Sequence, residues 1–239
     1  MNIVLLGYGK MGKVIEKVAE SRGHNIVARI DVNNRQEFDN LIASEVDAVI
    51  EFSHPSSAFQ NVKSCLEKKI PVVCGTTGWL ENKPEIETLT IEKDGAFFWS
   101  SNYSIGVNLF FELNRTLAKL MAPQKQYSVS TMEIHHTEKK DAPSGTAITL
   151  AEGIIQNSED KKKWVSNEIP KTDEVAIWSA REGKVPGTHI VKYISDIDQI
   201  EISHVAHGRE GFALGAIIAA EWIVGKKGVF GMKELLCIV

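Results

Sequence analysis

The chain has 239 residues, 43% of them hydrophobic and 24% charged, with a formal net charge of −4 at pH 7. Those proportions describe an ordinary soluble globular protein with room for one large domain or two modest ones; the acidic balance speaks against a general nucleic-acid binder, which carries a basic stripe. No stretch approaches the roughly 18 uninterrupted apolar residues of a membrane span, the apolar run at the start is too short for a signal peptide, and Cys65, Cys74 and Cys237 form no C-x-x-C pair, reading instead as reduced, buried small hydrophobes of a cytoplasmic protein.

Over the first hundred residues, short β-rich runs alternate with helical patterns. NIVLL (2–6), NIVARI (25–30), DAVIEF (47–52), PVVC (71–74) and AFFWS (96–100) read as strands, and residues 11–21 and 55–68 carry apolar side chains at helical spacing. Strand, helix, strand at this rhythm predicts a Rossmann-like, doubly wound parallel sheet with crossover helices, and near-continuous apolar strands fit a sheet covered on both faces.

The first strand runs into GYGKMG, which fits G-x-G-x-x-G at Gly7, Gly9 and Gly12 and opens a helix. In that setting Gly7 permits the tight turn, Gly9 the close approach of a pyrophosphate, and Gly12 close packing of helix on strand. The phosphates then sit at a helix N-terminus, where free N–H groups and the helix dipole favour an anion. Asp31, at the end of the second strand, stands about 20 residues on, where an acidic side chain accepts from ribose hydroxyls. The competing reading is a βαβ unit with a merely structural glycine turn. GTTG (75–78) and SSNYS (100–104) follow the fourth and fifth strands, at the carboxyl edge where open α/β sheets bind ligands. Thr76, Thr77 and Asn102 offer hydrogen bonds to a ribose or nicotinamide amide there, or else belong to ordinary turns.

After about residue 105 the rhythm changes. A long helical pattern (107–121) leads into the alternating YSVSTMEIHH, a second helix is expected from 144 to 156, and the polar 159–171 reads as a solvated loop. VAIWSA, THIVKYIS and QIEISHVA are strand-like, so this half is predicted to be an α+β domain with a mixed, largely antiparallel sheet and its helices on one side. FALGAIIAAEWIVG is one more helix, and the tail LLCIV is apolar enough to pack.

Between the two patterns lies EIHHTEKKDAPSGT (133–146), with His135, His136, Lys139 and a helix start at Ser144, Gly145 and Thr146. Successive strand side chains face opposite ways, so the two histidines are not expected to address one ligand together. Ser144 or Thr146 can cap the following helix, and bare N–H groups at its start suit a carboxylate. Lys139 adds positive charge or a proton, and a histidine near neutrality donates one. The combination suits reduction of a small, carboxylate-bearing molecule. Adjacent histidines lack the i, i+4 spacing of a helical zinc pair, so no metal is expected. A serine nucleophile lacks its G-x-S-x-G elbow. His54, His189, His204 and His207 default to structural or surface roles.

EIHHTEKKDAPSGTA is similar to the pattern E-x-H-H-x-x-K-x-D-A-P-S-G-T-A of the dihydrodipicolinate reductases. GYGKMG, EFSHP (51–55), GTTG, SSNYSIGVN (100–108) and SHVAHGREGFALGA (203–216) fall in that family's order, so the resemblance spans the chain. It implies a dinucleotide-binding domain over 1–104, a substrate-binding and oligomerisation domain over 105–206, and a return of 207–239 to the first domain. It also implies cytoplasmic lysine and diaminopimelate biosynthesis, hydride transfer from NADH or NADPH to a cyclic imine dicarboxylate, and a homotetramer built through the substrate-domain sheets. His135 and Lys139 match proton donors; His136, Ser144, Gly145 and Thr146 match substrate-carboxylate positions. Gly7, Tyr8, Gly9, Lys10, Met11, Gly12, Asp31, Gly75, Thr76, Thr77, Ser100, Ser101, Asn102 and Tyr103 match cofactor contacts, with Arg209 and Phe212 closing over the cofactor. The expected hinges for closure are residues 104–106 and 207–211. Two other classes stand beside this one: a dinucleotide-responsive binding protein without turnover, and a reductase of another small carboxylate.

Overall fold

The computed structural model describes residues 1–238, which form two compact units, one of residues 1–105 with the stretch from Arg209 onward, the other of Gly106–Gly208.

The first unit is built on β1 (Asn2–Leu6), α1 (Lys10–Ser21), β2 (Asn25–Ile30), β3 (Ala48–Glu51), α2 (Pro55–Glu67), β4 (Val72–Cys74), α3 (Lys83–Glu92) and β5 (Ala96–Trp99). All of its strand pairings are parallel. Period-2 alternation sends the side chains of β1 to opposite faces. Ile3 and Leu5 enter a core shared with Ile15 and Ala19 of α1, whereas Val4 and Leu6 enter one shared with Val62 and Leu66 of α2. All of these are at most 1% exposed, and each large aliphatic so buried contributes about 1.5–3 kcal/mol. Both faces are therefore covered, as the apolar runs predict.

The second unit contains nearly all of α4 (Ile105–Met121), then β6 (Ser128–His135), α5 (Gly145–Gln156), β7 (Lys163–Ser166), β8 (Glu174–Arg181), β9 (Gly187–Ile194) and β10 (Gln199–Ala206). Its sheet runs β10-β9-β6-β8-β7, with β6 at the centre. Phe110 and Ala118 of α4 and Leu150 and Ile154 of α5 cover one face, packing on Val129, Val175, Ile177 and Val191. The sheet is mixed as expected, with two antiparallel and two parallel pairings, the antiparallel ladders being the longer. The crossover through α5 brings β8 beside β6 in the same direction. The return to β8 also makes Lys163–Ser166 a short edge strand where a polar loop was expected.

The chain returns to the first unit as α6 (Glu210–Ile223), β11 (Gly228–Phe230) and α7 (Met232–Leu235). β11 adds a sixth parallel strand beside β5, completing the order β11-β5-β4-β3-β1-β2. Ala213, Ala216, Ala219 and Ala220 let α6 lie close to the sheet; a Cβ at Gly215 would fall 1.7 Å from the Tyr103 carbonyl oxygen. Leu235 and Leu236 pack on this core. Cys65 and Cys74 are buried free thiols as expected, whereas Cys237 is exposed, beyond the short final helix.

Candidate active site

The parallel order places the carboxyl ends of β1 to β5 along one edge of the first sheet. Gly7 leaves β1 with φ +99, a left-handed value that favours glycine. A Cβ there would lie 2.2 Å from the Phe52 carbonyl oxygen, and one at Gly12 would lie 2.5 Å from the Gly7 oxygen. Gly9 instead faces open space, with nothing within 4 Å of the corresponding position. Gly9 is also the N-cap of α1, with no side-chain cap and no acidic residue in the first turn, so the helix start presents uncapped N–H groups. Gly9, Lys10, Met11, Gly75, Thr76 and Thr77 line one cleft of about 350 Å³. Phe52, Ser53 and Pro55 complete it; their place between the third strand and its helix was the sequence signal for them.

Other predicted positions differ in what they leave free. The Tyr8 hydroxyl donates to Glu16. Thr76 is buried, and its Oγ1 accepts from the Ser53 N–H at 2.9 Å. Thr77 and Ser101 are exposed at their turns, and the Ser100 hydroxyl donates to the Asn102 carbonyl at 2.8 Å. Tyr103 requires a correction as a side-chain contact: it is 2% exposed, rests against Phe52 and Phe98, and donates its hydroxyl to the Cys74 carbonyl at 2.8 Å. Its ring belongs to the core, where burial pushes the phenol well up. Asp31 is exposed just past β2, and its carboxylate accepts from the Val32 N–H at 2.8 Å. Arg209 is exposed at the N-cap of α6, and Phe212 is half-buried in its first turn.

In the second unit, Thr131, Glu133 and His135 alternate along β6 on its buried face, while His136 stands just past the strand end and is half-buried. The chain then turns, through a cis peptide at Ala142–Pro143, into α5. Ser144 caps that helix, its Oγ accepting from the Ala147 N–H at 3.3 Å. The Ser144 N–H is committed to the Glu133 carboxylate, at 3.1 and 3.2 Å from its two oxygens. The anion seat expected at Ser144, Gly145 and Thr146 is thereby narrowed, since only the last two N–H groups remain in the unpaired first turn. Lys139 reaches both oxygens of Asp141 at 2.7 Å, and its ammonium holds the Asp141 carboxyl below its usual range.

Sequence reasoning missed the group around which these residues gather. Glu133 is fully buried and accepts from the Ser179 hydroxyl at 2.8 Å and from Arg181 Nη2 at 3.3 Å. His135 Nδ1 lies 3.2 Å from its other oxygen, near enough for an ion pair but out of line for a well-formed hydrogen bond. Burial alone would push the Glu133 carboxyl up; the adjacent His135 and the donors from Ser144 and Ser179 outweigh it and hold the group well below the carboxylate range. His189, from β9, is also buried, its ring 5.1 Å from that of His135 and edge-on to it. Burial, then the charge of His135, pushes His189 down to about 4. Glu133, His135 and His189 carry ligand-capable atoms within 4.8 Å of one another, the one such group among the described residues. The strand pairing Glu133↔His189 creates that proximity, which spacing along the chain cannot display. The carboxylate is already engaged by Arg181 and Ser144, an arrangement suited to a buried ion network.

The dihydrodipicolinate reductase N-terminal family model matches residues 1–103 and the C-terminal model residues 106–236. The chain is 48% identical over 236 residues to a 4-hydroxy-tetrahydrodipicolinate reductase of Christiangramia forsetii, covering 99% of this chain and 98% of that protein. A protein of the same name from Methanoregula boonei is 34% identical, over 95% and 94% of the two chains. Among solved structures, a dipicolinate-bound dihydrodipicolinate reductase from Paenisporosarcina sp. TG-14 superposes with a TM-score of 0.77 at 22% identity, covering 98% of this chain and 99% of that one. At that identity the likeness is one of fold, and the two family models with the close relatives carry the assignment: the chain belongs to the dihydrodipicolinate reductase family, pyridine-nucleotide-dependent oxidoreductases of lysine and diaminopimelate biosynthesis.

Proposed function

We propose that the protein reduces the dihydrodipicolinate species derived from 4-hydroxy-tetrahydrodipicolinate to tetrahydrodipicolinate, using NADH or NADPH. The observation that carries this reading is the seating of His135, Lys139 and the start of α5 on one buried Glu133–Arg181 network. The bound dipicolinate of the Paenisporosarcina structure, a planar ring with two carboxylates, supports a substrate of that class.

The uncapped start of α1 and the open space over Gly9 fit a pyrophosphate. When bound, the reduced nicotinamide supplies a hydride to the ring. The protein's part is to hold the ring and balance that hydride with a proton. Gly145 and Thr146 present first-turn N–H groups to a carboxylate, and Lys139 adds its charge once the carboxylate displaces Asp141. His135 or Lys139 delivers the proton, directly or through water. Fixed placement of both reactants supplies much of the acceleration.

The exposed Asp31 carboxylate favours NADH over a 2′-phosphate. Arg35 and Lys10 of the glycine turn are the cations that would compensate such a phosphate, but the Arg35 guanidinium donates to Asn61 at 3.3 Å and Ser64 at 3.1 Å and stacks 4.7 Å from the Phe38 ring, which leaves Lys10. NADH is therefore expected to serve at least as well as NADPH; a kcat/KM ratio of about a hundred in favour of NADPH would show that a cation rather than Asp31 governs the pocket.

The second sheet supports a homotetramer. Met132 is flanked in register by Trp178 and Ile190 on the face away from α4 and α5, and Met132 and Trp178 are each 38% exposed. Such a surface suits burial against another copy. A coupled assay with freshly generated substrate, set against other oxo- and imino-acids, tests the activity. Cofactor oxidation with the lysine-pathway intermediate supports it, and oxidation only with other acids favours a different small carboxylate.

A further inference from the structure

Glu133 is a buried charge to which the proposed reaction gives no direct task. Its surroundings are unusually complete. One oxygen accepts from Ser179 Oγ at 2.8 Å, the Ser144 N–H at 3.1 Å and Arg181 Nη2 at 3.3 Å; the other faces the same N–H at 3.2 Å and His135 Nδ1 at 3.2 Å. His189 Nε2 stands 3.8 Å from the second oxygen. Arg181 carries the network further, donating from Nε to the Lys139 carbonyl at 3.3 Å and from Nη2 to the Asp141 carbonyl at 2.6 Å. One carboxylate thus touches a proton donor and the start of α5, and through Arg181 it holds the turn that bears Lys139.

An ionised carboxylate only accepts hydrogen bonds. Even without an aligned hydrogen bond, the carboxylate charge 3.2 Å away disfavours a bare lone pair on Nδ1, so the imidazole facing Glu133 is expected to carry its hydrogen there. Nε2 is then the atom left for exchange with a ligand. The space beside it is kept by a glycine: a Cβ at Gly187 would lie 3.1 Å from His135 Nε2. His189, pressed edge-on against the same ring, is too deeply buried to carry a proton of its own near neutrality.

We infer that Glu133 is a positioning residue of the reductase reaction. Its charge beside His135 favours the hydrogen on Nδ1 and leaves proton exchange to Nε2, and its hydrogen bonds keep the carboxylate seat at α5 and the Lys139 turn in one register with that ring. This rests on the reading of His135 and Lys139 as the proton-delivering pair.

Two measurements on the full chain test it. Glu133→Gln keeps the shape of the side chain and an oxygen for Ser144 or Arg181, but can turn an amide N–H toward His135 Nδ1. Its kcat is expected to fall by more than about tenfold, short of the 10²–10⁴-fold that loss of a general acid itself costs. Substrate KM should change less than kcat, and dinucleotide affinity not at all. The second measurement is the ¹⁵N spectrum of the His135 imidazole in the wild-type protein, at a pH where the ring is neutral. It needs no substrate, no variant and no turnover, so it stands even if E133Q fails to fold or if the proposed substrate is wrong. The Nδ1–H tautomer is expected, shifting toward Nε2–H in E133Q. A wild-type ring that carries its hydrogen on Nε2, or a folded E133Q with kcat within about twofold of wild type, would overturn the inference.

Discussion

At the scale of single residues, the division of chemistry between the two units makes a sharp expectation. His135→Ala and Lys139→Ala should lower kcat by about 10²–10⁴-fold while dinucleotide binding persists, since both residues belong to the second unit and the glycine turn to the first. Lys139→Ala should also raise substrate KM, because its charge attracts a carboxylate. Fluorescence titration read beside steady-state kinetics checks this; dinucleotide affinity that collapsed in step with kcat would refute the division. The candidate donors were legible in the motif because their residue types and the helix start after them have few other uses together. Glu133 stood in the same motif and was passed over, since nothing in a linear string shows that it is buried among Ser144, Ser179 and Arg181. Tyr103, matched to a cofactor contact only through the family resemblance, has its hydroxyl on the carbonyl of Cys74, which a linear string cannot show either.

At the scale of elements, the second sheet links its pairing to pH. Alignment of β6 and β9 buries His189 against Glu133 and His135. The folded imidazole titrates at about 4, the unfolded one near its ordinary 6.5. Between those values the unfolded chain binds a proton that the folded chain refuses, so stability is complete above 6.5 and is lost as pH falls toward 4. The slope approaches about 1.4 kcal/mol per pH unit. Glu133, held low by its donors, adds loss of the same sign once pH drops below its unfolded value of 4.5. Urea titrations near pH 7 and pH 5 should show wild type losing about 2 kcal/mol more than His189→Gln over that interval; equal losses would mean that the imidazole reaches solvent. The long elements were readable because their apolar periods are strong: β1, β2 and α5 lie within a residue of their expected bounds. β7 and β11, of four and three residues, were not readable. Edge strands so short are defined by the neighbour they pair with, and charged flanks around KWVS mask what apolar signal there is.

For the whole molecule, the proposed assembly predicts that the wild-type chain sediments as four copies and that Trp178→Asp, which sets a charge beside Met132, yields a smaller species. Identical masses for the two would place the subunit interface elsewhere. Fold class was the most legible property of all, because the change of rhythm near residue 105 coincides with the passage of the chain from one unit to the other. Substrate is a different matter. Fold alone does not separate the proposed chemistry from that of other dehydrogenases built on the same architecture. The separation rests on where the hydride goes. Turnover with NADH or NADPH deuterated at the transferred position, followed by mass spectrometry of the product, reads that directly. One deuterium is expected on the ring of tetrahydrodipicolinate, at a rate that falls in His135→Ala and Lys139→Ala alike; oxidised cofactor with an unlabelled ring, or labelling undiminished in both variants, would contradict the proposed hydride transfer.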